Sequence, residues 1–117
     1  MTISIPESPH ILYNEKTGSY IAWLKMMGDG RLPAHFAVFT AAAITGPYRP
    51  AGLVNPFGFE IGDFDLAKDP DTGKAYLFSQ KPHTSIFICA LNEDYTNVEG
   101  ERPVIDWRDA WSPEEFA

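Results

Sequence analysis

Hydrophobic and polar positions follow the same order in two stretches of the chain. Residues 11–24 read ILYNEKTGSYIAWL, and residues 66–78 read LAKDPDTGKAYLF. In each stretch an apolar run ends at an acidic or amide corner, a Thr-Gly pair follows, and a second apolar run begins near a tyrosine. Glycine accepts the positive φ of a tight reversal at little steric cost, so each Thr-Gly pair predicts a β-hairpin turn.

The two turns indicate a repeated unit. The separation between Gly18 and Gly73, which we call the glycine spacing, differs by a single residue from the separation between the following tyrosines, Tyr20 and Tyr76. Self-similarity at such a period is typical of stacked units, each of which covers a face of the next. We therefore predict an all-β fold of two four-stranded antiparallel blades of a β-propeller. Because a propeller closes with roughly four to eight blades, this one is incomplete, and we expect the sequence to be a fragment.

Eight short stretches supply the strands of these two blades. They are separated by turns rich in Gly, Pro, Asn and Asp, and no helical period persists. The strands are expected at residues 11–14, 20–27, 34–43 and 48–53, and then at 63–68, 75–80, 85–91 and 96–99. The first blade thus spans about residues 9–53 and the second about 62–100. A truncated continuation follows at 101–117, where the run Ser112-Pro113-Glu114-Glu115 is typical of a helix start.

Composition excludes several classes of function. The 117-residue chain carries a net charge of −7 with scattered Lys and Arg, which argues against a nucleic-acid partner and against an anionic membrane. No segment approaches about 18 uninterrupted apolar residues, so no transmembrane helix is expected. The first residues, MTISIPESPH, do not show the charged n-region and apolar core that are expected of a signal peptide. His10, His35 and His83 are dispersed without ligand spacing, so we expect no metal and no cofactor.

Two residues are expected to serve the core. Cys89, the one cysteine, lies in the apolar run SIFICAL and is interpreted as a buried structural thiol rather than a nucleophile. Trp23 lies within a regular strand and is interpreted as a core residue rather than a platform for sugar stacking. Trp107 and Trp111 remain open between sugar platforms and packing residues.

Three segments carry a resemblance to a known family. They are ESPHILYNEKTGSYIAWL at 7–24, ITGPYRP at 44–50 and GFEIGDFDLAKDPDTGKAYLFSQ at 58–80. They resemble the exo-β-1,3-galactanase-like branch of glycoside hydrolase family 43, whose members carry E-R-P-x-V-I-Y-N-x-x-T-G-K-Y, then T-G-P-F, then S-R-D and D-x-D-G-x-A-Y-L. The resemblance covers most of this chain but only part of the family's five-bladed catalytic propeller. It implies a fragment of an inverting glycosidase that acts on galactan, arabinan or xylan-type side chains of plant polysaccharides.

The resemblance assigns roles to two carboxylates. Asp63 matches the Asp of S-R-D, which implies a catalytic role in positioning the general acid or tuning its pKa; the alternative is a strand-start residue without chemistry. Glu7 matches the Glu of E-R-P and would face the sugar in the central funnel. Two further residues are candidates for substrate binding. Asp65 lies on the same strand face as Asp63, and Gln80 either hydrogen-bonds a sugar or merely ends its strand.

The sequence also departs from the family pattern. Ser8 replaces the Arg of the first motif, and Ile61-Gly62 replace the Ser-Arg of the second, which removes a charge partner and a sugar donor beside each carboxylate. The family's general-acid Glu belongs to a later blade, and the surroundings of Glu114 and Glu115 do not match its motif. Whether the chain is itself an enzyme therefore stays open.

Three functions remain as hypotheses. The chain is part of a carbohydrate-active hydrolase, or a non-catalytic carbohydrate-binding module that keeps the fold without the acid, or a structural propeller piece whose uncovered blades self-associate. The partner implied by the first two is an oligo- or polysaccharide. The family is usually secreted, but this sequence shows no targeting segment, so its location is left open.

Overall fold

The computed structural model describes residues 9–26, 34–55, 62–81, 85–100 and 105–108, which form two antiparallel sheets. Within these ranges no helix is long and apolar enough to cross a membrane. In both sheets every strand pairs with the next one along the chain, which is the strand order of a propeller blade. Sheet 1 contains β1 (His10–Asn14), β2 (Ser19–Met26), β3 (His35–Ala41) and β4 (Arg49–Val54), and sheet 2 contains β5 (Phe64–Lys68), β6 (Ala75–Lys81), β7 (Ser85–Ala90) and β8 (Ile105–Arg108). The predicted all-β fold of two four-stranded antiparallel sheets is confirmed.

The outermost strand of sheet 2 differs from the prediction. β8 pairs with β7, whereas residues 96–99 form turns and contribute only a single bridge, between Leu91 and Val98. The Oδ1 atom of Asn92 accepts the N–H groups of Thr96 at 3.0 Å and Asn97 at 3.2 Å. Such local side-chain bonds compete with a strand ladder for the backbone. Sheet 2 therefore extends past residue 100, where the second unit was expected to end.

The two hairpin turns are built alike. The N–H of Gly18 donates to the carbonyl of Asn14, and the N–H of Gly73 donates to the carbonyl of Asp69, both at 2.8 Å. The first residue of each turn also accepts, through its side-chain Oδ1, the N–H two residues further on, at 2.9 Å in both turns. Gly18 and Gly73 have φ of +68° and +75°, as a tight reversal requires. The glycine spacing is therefore the structural period.

The tyrosine spacing is not the structural period. When the two sheets are aligned by the glycine spacing, Tyr20 corresponds to Ala75 and Tyr76 corresponds to Ile21. Ala75 and Ile21 are both buried. Tyr20 lies on the face of sheet 1 opposite to Ile21, where its ring is 4.9 Å from that of Tyr13. A slip of one residue moves a side chain to the opposite face of a sheet. The two tyrosines therefore occupy non-equivalent faces.

A continuous series of aromatic rings crosses the interface between the sheets. The ring centroids of His10 and Phe64 are 4.4 Å apart, those of Phe64 and Phe36 are 4.8 Å apart, and those of Phe36 and Trp23 are 5.3 Å apart. Trp23 is fully buried, and its Nε1–H donates to the carbonyl of Tyr95 at 2.8 Å. The interpretation of Trp23 as a core residue is confirmed.

The rest of the core follows the two-residue alternation of the strands. Sheet 1 contributes Ile21, Val38 and Val54, and sheet 2 contributes Leu66, Ala75, Leu77 and Cys89, with Leu91 following β7. The burial predicted for Cys89 is confirmed, and desolvation raises the pKa of its thiol to about 11. A thiol of this kind contributes to packing and is a poor nucleophile.

Replacing Trp23 with Phe should lower the free energy of unfolding by roughly 1–3 kcal/mol, because the Tyr95 carbonyl loses a buried donor and the smaller ring leaves a void. Urea unfolding followed by circular dichroism measures the change. The control is Tyr48→Phe, which removes only the exposed bond from the Tyr48 hydroxyl to the Ile44 carbonyl. Equal losses in the two variants would contradict the buried role of Trp23.

Cys89 should resist alkylation by iodoacetamide in the folded chain. With a pKa of about 11, its thiolate fraction at pH 8 is about 10⁻³. Above the ordinary thiol pKa the folded state keeps a proton that the unfolded chain has released, so stability should fall as the pH rises toward 11. Labelling monitored by mass spectrometry at pH 8 should be slow until denaturant is added; rapid labelling of the native chain would refute the assignment.

Candidate functional site

The starts of β1 and β5 lie side by side. His10 Nδ1, in the first residue of β1, is 3.0 Å from Asp65 Oδ1 near the start of β5. At the other end of the same strands, Lys68 Nζ reaches the carbonyl of Tyr13 at 3.1 Å and the carboxylate of Glu15 at 3.5 Å. The two strands therefore run in the same direction, as the innermost strands of neighbouring blades would. We call the end that carries Pro9, His10, Asp63 and Asp65 the strand-start rim.

Asp63 lies directly before β5, exposed on this rim and at the opposite end of the strand from the Pro70–Gly73 turn. Its position is set through the main chain of Gln80. The N–H of Gly62 donates to the carbonyl of Gln80 at 2.6 Å, and the N–H of Gln80 donates to the carbonyl of Asp63 at 2.9 Å. Two residues thus face one, which is the pattern of a β-bulge. Asp63, which matches the Asp of the family motif, is one of the two residues in this bulge.

Gly62 has no room for a side chain. A Cβ at this position would lie 2.7 Å from the carbonyl oxygen and 3.1 Å from the Cβ of Gln80. The nearer neighbour is backbone, which cannot rotate away as a flexible side chain would. The Arg that the family motif carries at this position would therefore require the bulge to change. Replacement of the motif's Arg by Gly62 therefore has two consequences. The positive charge beside Asp63 is lost, and the local backbone leaves no room for a side chain.

Asp65 makes a contact that the sequence did not indicate. Its carboxylate is exposed and pairs with His10, whose ring rests on Phe64. The dispersed spacing of the histidines did not predict His10 at this site. Its place two residues before Leu12, on the inward face of β1, was the available signal. The pair adds an imidazole to the rim and joins the two sheets there.

Gln80 does not end its strand, because β6 continues to Lys81. Its main chain holds the bulge at Gly62 and Asp63, while its side chain is exposed. Several other predicted residues lie outside the described residues and receive no structural account. They are Glu7, Ser8, Ile61, His83, Trp111, Glu114 and Glu115, together with the side chain of Trp107.

A cleft of about 640 Å³ opens at the other end of the sheets, between the two hairpin turns and residues 91–99. Each of its lysines faces a carboxylate: the ion pairs are Lys16–Glu93 at 3.7 Å, Lys68–Glu15 at 3.5 Å and Lys74–Glu99 at 2.8 Å. Asp71 also lines the cleft and serves the turn, where its N–H donates to Asp69. Two of these pairs, Lys16–Glu93 and Lys68–Glu15, connect sheet 1 with sheet 2 at this end.

Adding a methyl group at position 62 should perturb the bulge. Gly62→Ala should lower the free energy of unfolding by roughly 1–3 kcal/mol, because the new Cβ meets the Gln80 backbone. The matched control is Gly52→Ala, where nothing lies within 4 Å of the added Cβ. That change should be neutral or slightly stabilising. Thermal and urea unfolding of both variants measure the difference, and an unaffected Gly62→Ala chain would contradict the close contact between Gly62 and the Gln80 backbone.

No protein-family model and no curated protein matches the sequence. Solved structures do match. An exo-β-1,3-galactanase from Phanerochaete chrysosporium, crystallised with β-1,3-galactotriose and with galactose, shares 28% identity at a TM-score of 0.76 in both structures; the match covers 91% of this chain and 25% of the galactanase chain. A GH43 β-1,3-galactosidase shares 32% identity at a TM-score of 0.69, over 87% of this chain and 21% of its own.

The chain therefore spans about a quarter of the length of the first structures it matches. The matched structures have the same strand architecture as the two sheets described here. They belong to the family that the motifs at residues 7–24, 44–50 and 58–80 resemble. The motifs and the structural matches lead to the same family and to the same branch. This chain is a galactanase-like segment of the glycoside hydrolase family 43 fold.

Proposed function

We propose that this chain supplies part of the sugar-binding funnel of a family 43 glycosidase acting on β-1,3-linked galactose. The observation that carries the proposal is the strand-start rim, where Asp63 is exposed and fixed by the Gly62–Gln80 bulge. β1 starts at the same rim, and Glu7 lies three residues before it in the sequence. The galactanase structures that the chain resembles contain galactose and β-1,3-galactotriose, which suggests the class of sugar.

Each candidate residue has a role suited to its chemistry. Asp63 positions the general acid and tunes its pKa, and Glu7 accepts hydrogen bonds from sugar hydroxyl groups. Asp65, held by His10, and the exposed side chain of Gln80 offer further polar contacts. In the inverting reaction one acid protonates the leaving oxygen while a base activates water, with the two carboxyl groups roughly 6.5–9.5 Å apart. No glutamate of this sequence matches the motif of that acid, so the acid comes from another part of the catalytic fold.

A non-catalytic sugar-binding module is the second candidate. The observation that favours it is Gly62, because the described backbone excludes the Arg that the motif carries beside Asp63. Ser8 likewise stands where the first motif carries Arg. The rim then keeps its carboxylates but has lost two guanidinium groups that would pair with them and donate to a sugar. Binding without hydrolysis distinguishes this candidate from a catalytic one.

Titration of the chain with β-1,3-galactotriose should shift amide resonances at the starts of β1 and β5. Asp65→Asn should weaken the binding about tenfold, because a neutral amide replaces a charge-assisted acceptor at the rim. The matched control is Asp71→Asn, the same change on the turn at the far end of the hairpin, and it should leave binding unchanged. Two-dimensional NMR measures both effects. Shifts confined to the Pro70–Gly73 turn, or equal losses in the two variants, would contradict the site.

The chain on its own should not release galactose from β-1,3-galactan at an enzyme-like rate. Acid–base assistance typically contributes ~10²–10⁴-fold to such a reaction, and no residue here matches the general acid. Reducing-sugar and chromatographic assays over a range of pH test this expectation. A galactanase assayed in parallel shows that the substrate is competent. Release that Asp63→Asn abolishes would mean that this chain carries its own acid.

A further inference from the structure

Lys25 is a nearly buried lysine close to the end of β2. Its side chain belongs to a residue that is only 7% exposed, and it lies on the same face of sheet 1 as Trp23, directly opposite Phe36 on β3. Both of these aromatic residues are fully buried. Removing an ammonium group from water is costly unless the group is paired, so a buried lysine requires a physical reason.

No described residue pairs with this ammonium group. Lys25 makes neither an ion pair nor a hydrogen bond with any residue that the structure describes. The other three lysines whose side chains are described each form an ion pair with a glutamate: Lys16 with Glu93, Lys68 with Glu15 and Lys74 with Glu99. Of these four described lysines, the most buried one is therefore the one without a partner.

Lys25 lies at the end of the sheet interface where both inner strands begin. β2 runs antiparallel to β1 with Trp23 opposite His10, so Lys25 lies two residues further toward the end at which β1 starts. Its strand partner Phe36 contacts Phe64, the first residue of β5, with the ring centroids 4.8 Å apart. The register and the ring contact together place Lys25 at the strand-start rim.

The ammonium group keeps some contact with solvent at this rim. Among the described residues, the Ser79 hydroxyl is the only fully buried polar side-chain atom that lacks a hydrogen-bond partner. The Nζ atom of Lys25 also lacks a partner, so it is not fully enclosed. A lysine in this situation buries its aliphatic stem against apolar neighbours and presents its charged end at the surface.

The candidate site is rich in hydrogen-bond acceptors and poor in cations. A sugar hydroxyl group both donates and accepts, whereas the carboxylates of Asp63 and Asp65 only accept. Ser8 and Gly62 stand where the family motifs carry arginines. An ammonium group provides three donors and a positive charge. Lys25 thus offers the chemistry that the two missing guanidinium groups would have supplied.

We propose that Lys25 is a sugar-binding residue whose ammonium group donates hydrogen bonds to hydroxyl oxygens of the galactosyl unit at the strand-start rim. The inference rests on the proposed sugar site and adds a cation from β2 to the carboxylates of β5. It also explains the unpaired charge, which lowers the stability of the free chain and gains its hydrogen bonds only when sugar is bound. Such an exchange of stability for binding is common at functional sites.

Lys25→Met tests this role because it keeps an unbranched stem and removes the charge. In titrations with β-1,3-galactotriose followed by two-dimensional NMR, this variant should bind about tenfold more weakly, since a charge-assisted donor is lost. Its midpoint of urea unfolding without sugar should equal or exceed the native value, because a desolvated charge is gone. Lys25→Arg keeps the charge and should restore most of the binding. The matched control is Lys74→Met, in the cleft at the other end of the sheets, which should leave binding unchanged.

The outcomes separate this inference from the proposed function. Native binding that Lys25→Met leaves unchanged would overturn the role of Lys25 and keep the sugar site in place. A Lys25→Met chain that is less stable than the native chain, with binding that Lys25→Arg does not restore, would mean that the lysine is purely structural and would also overturn the role. A native chain that does not bind galactotriose would contradict the proposed function and this inference together.

Discussion

The contact between Phe64 and its two aromatic neighbours holds the two sheets in register. The ring of Phe64, at the first position of β5, lies between His10 of β1 and Phe36 of β3, and Phe36 in turn contacts the buried Trp23. Aromatic pairs in this geometry stabilise the fold beyond the contribution of the apolar area that they bury. Because the series begins at the first residue of both inner strands, it brings the two strand starts together. The candidate site depends on that placement.

The hairpins were predictable because their causes are local. Each hairpin depends only on residues of its own turn and flanking strands: the glycine with positive φ, Gly18 or Gly73, and the alternation of apolar side chains. The outer strand of sheet 2 was not predictable in the same way. Asn92 diverts the following backbone into turns, and the carbonyl of Tyr95 accepts the bond from Trp23, which lies far earlier in the chain. Neither effect leaves a periodic signal at residues 96–99.

The candidate site was found by resemblance and refined by geometry. The motif located Asp63, and the loss of the neighbouring Arg was visible in the sequence. The reason that no other side chain fits at Gly62 was not visible, because it lies in the backbone of Gln80 on the neighbouring strand β6. The pairing of Asp65 with His10 is likewise a contact between sheets. Pattern within a strand predicts which face a residue occupies, but not its partner on the neighbouring sheet.

Two-dimensional nuclear Overhauser spectroscopy of the native chain tests the stacking of the two sheets most directly. The Phe64 ring should show cross-peaks to both His10 and Phe36, whose ring centroids lie 4.4 and 4.8 Å away. The same spectrum should show no cross-peak from Phe64 to Tyr13 or Tyr20, which lie on the side of sheet 1 opposite to Trp23 and Phe36. Cross-peaks to those tyrosines, with none to His10 and Phe36, would contradict the arrangement on which the candidate site rests.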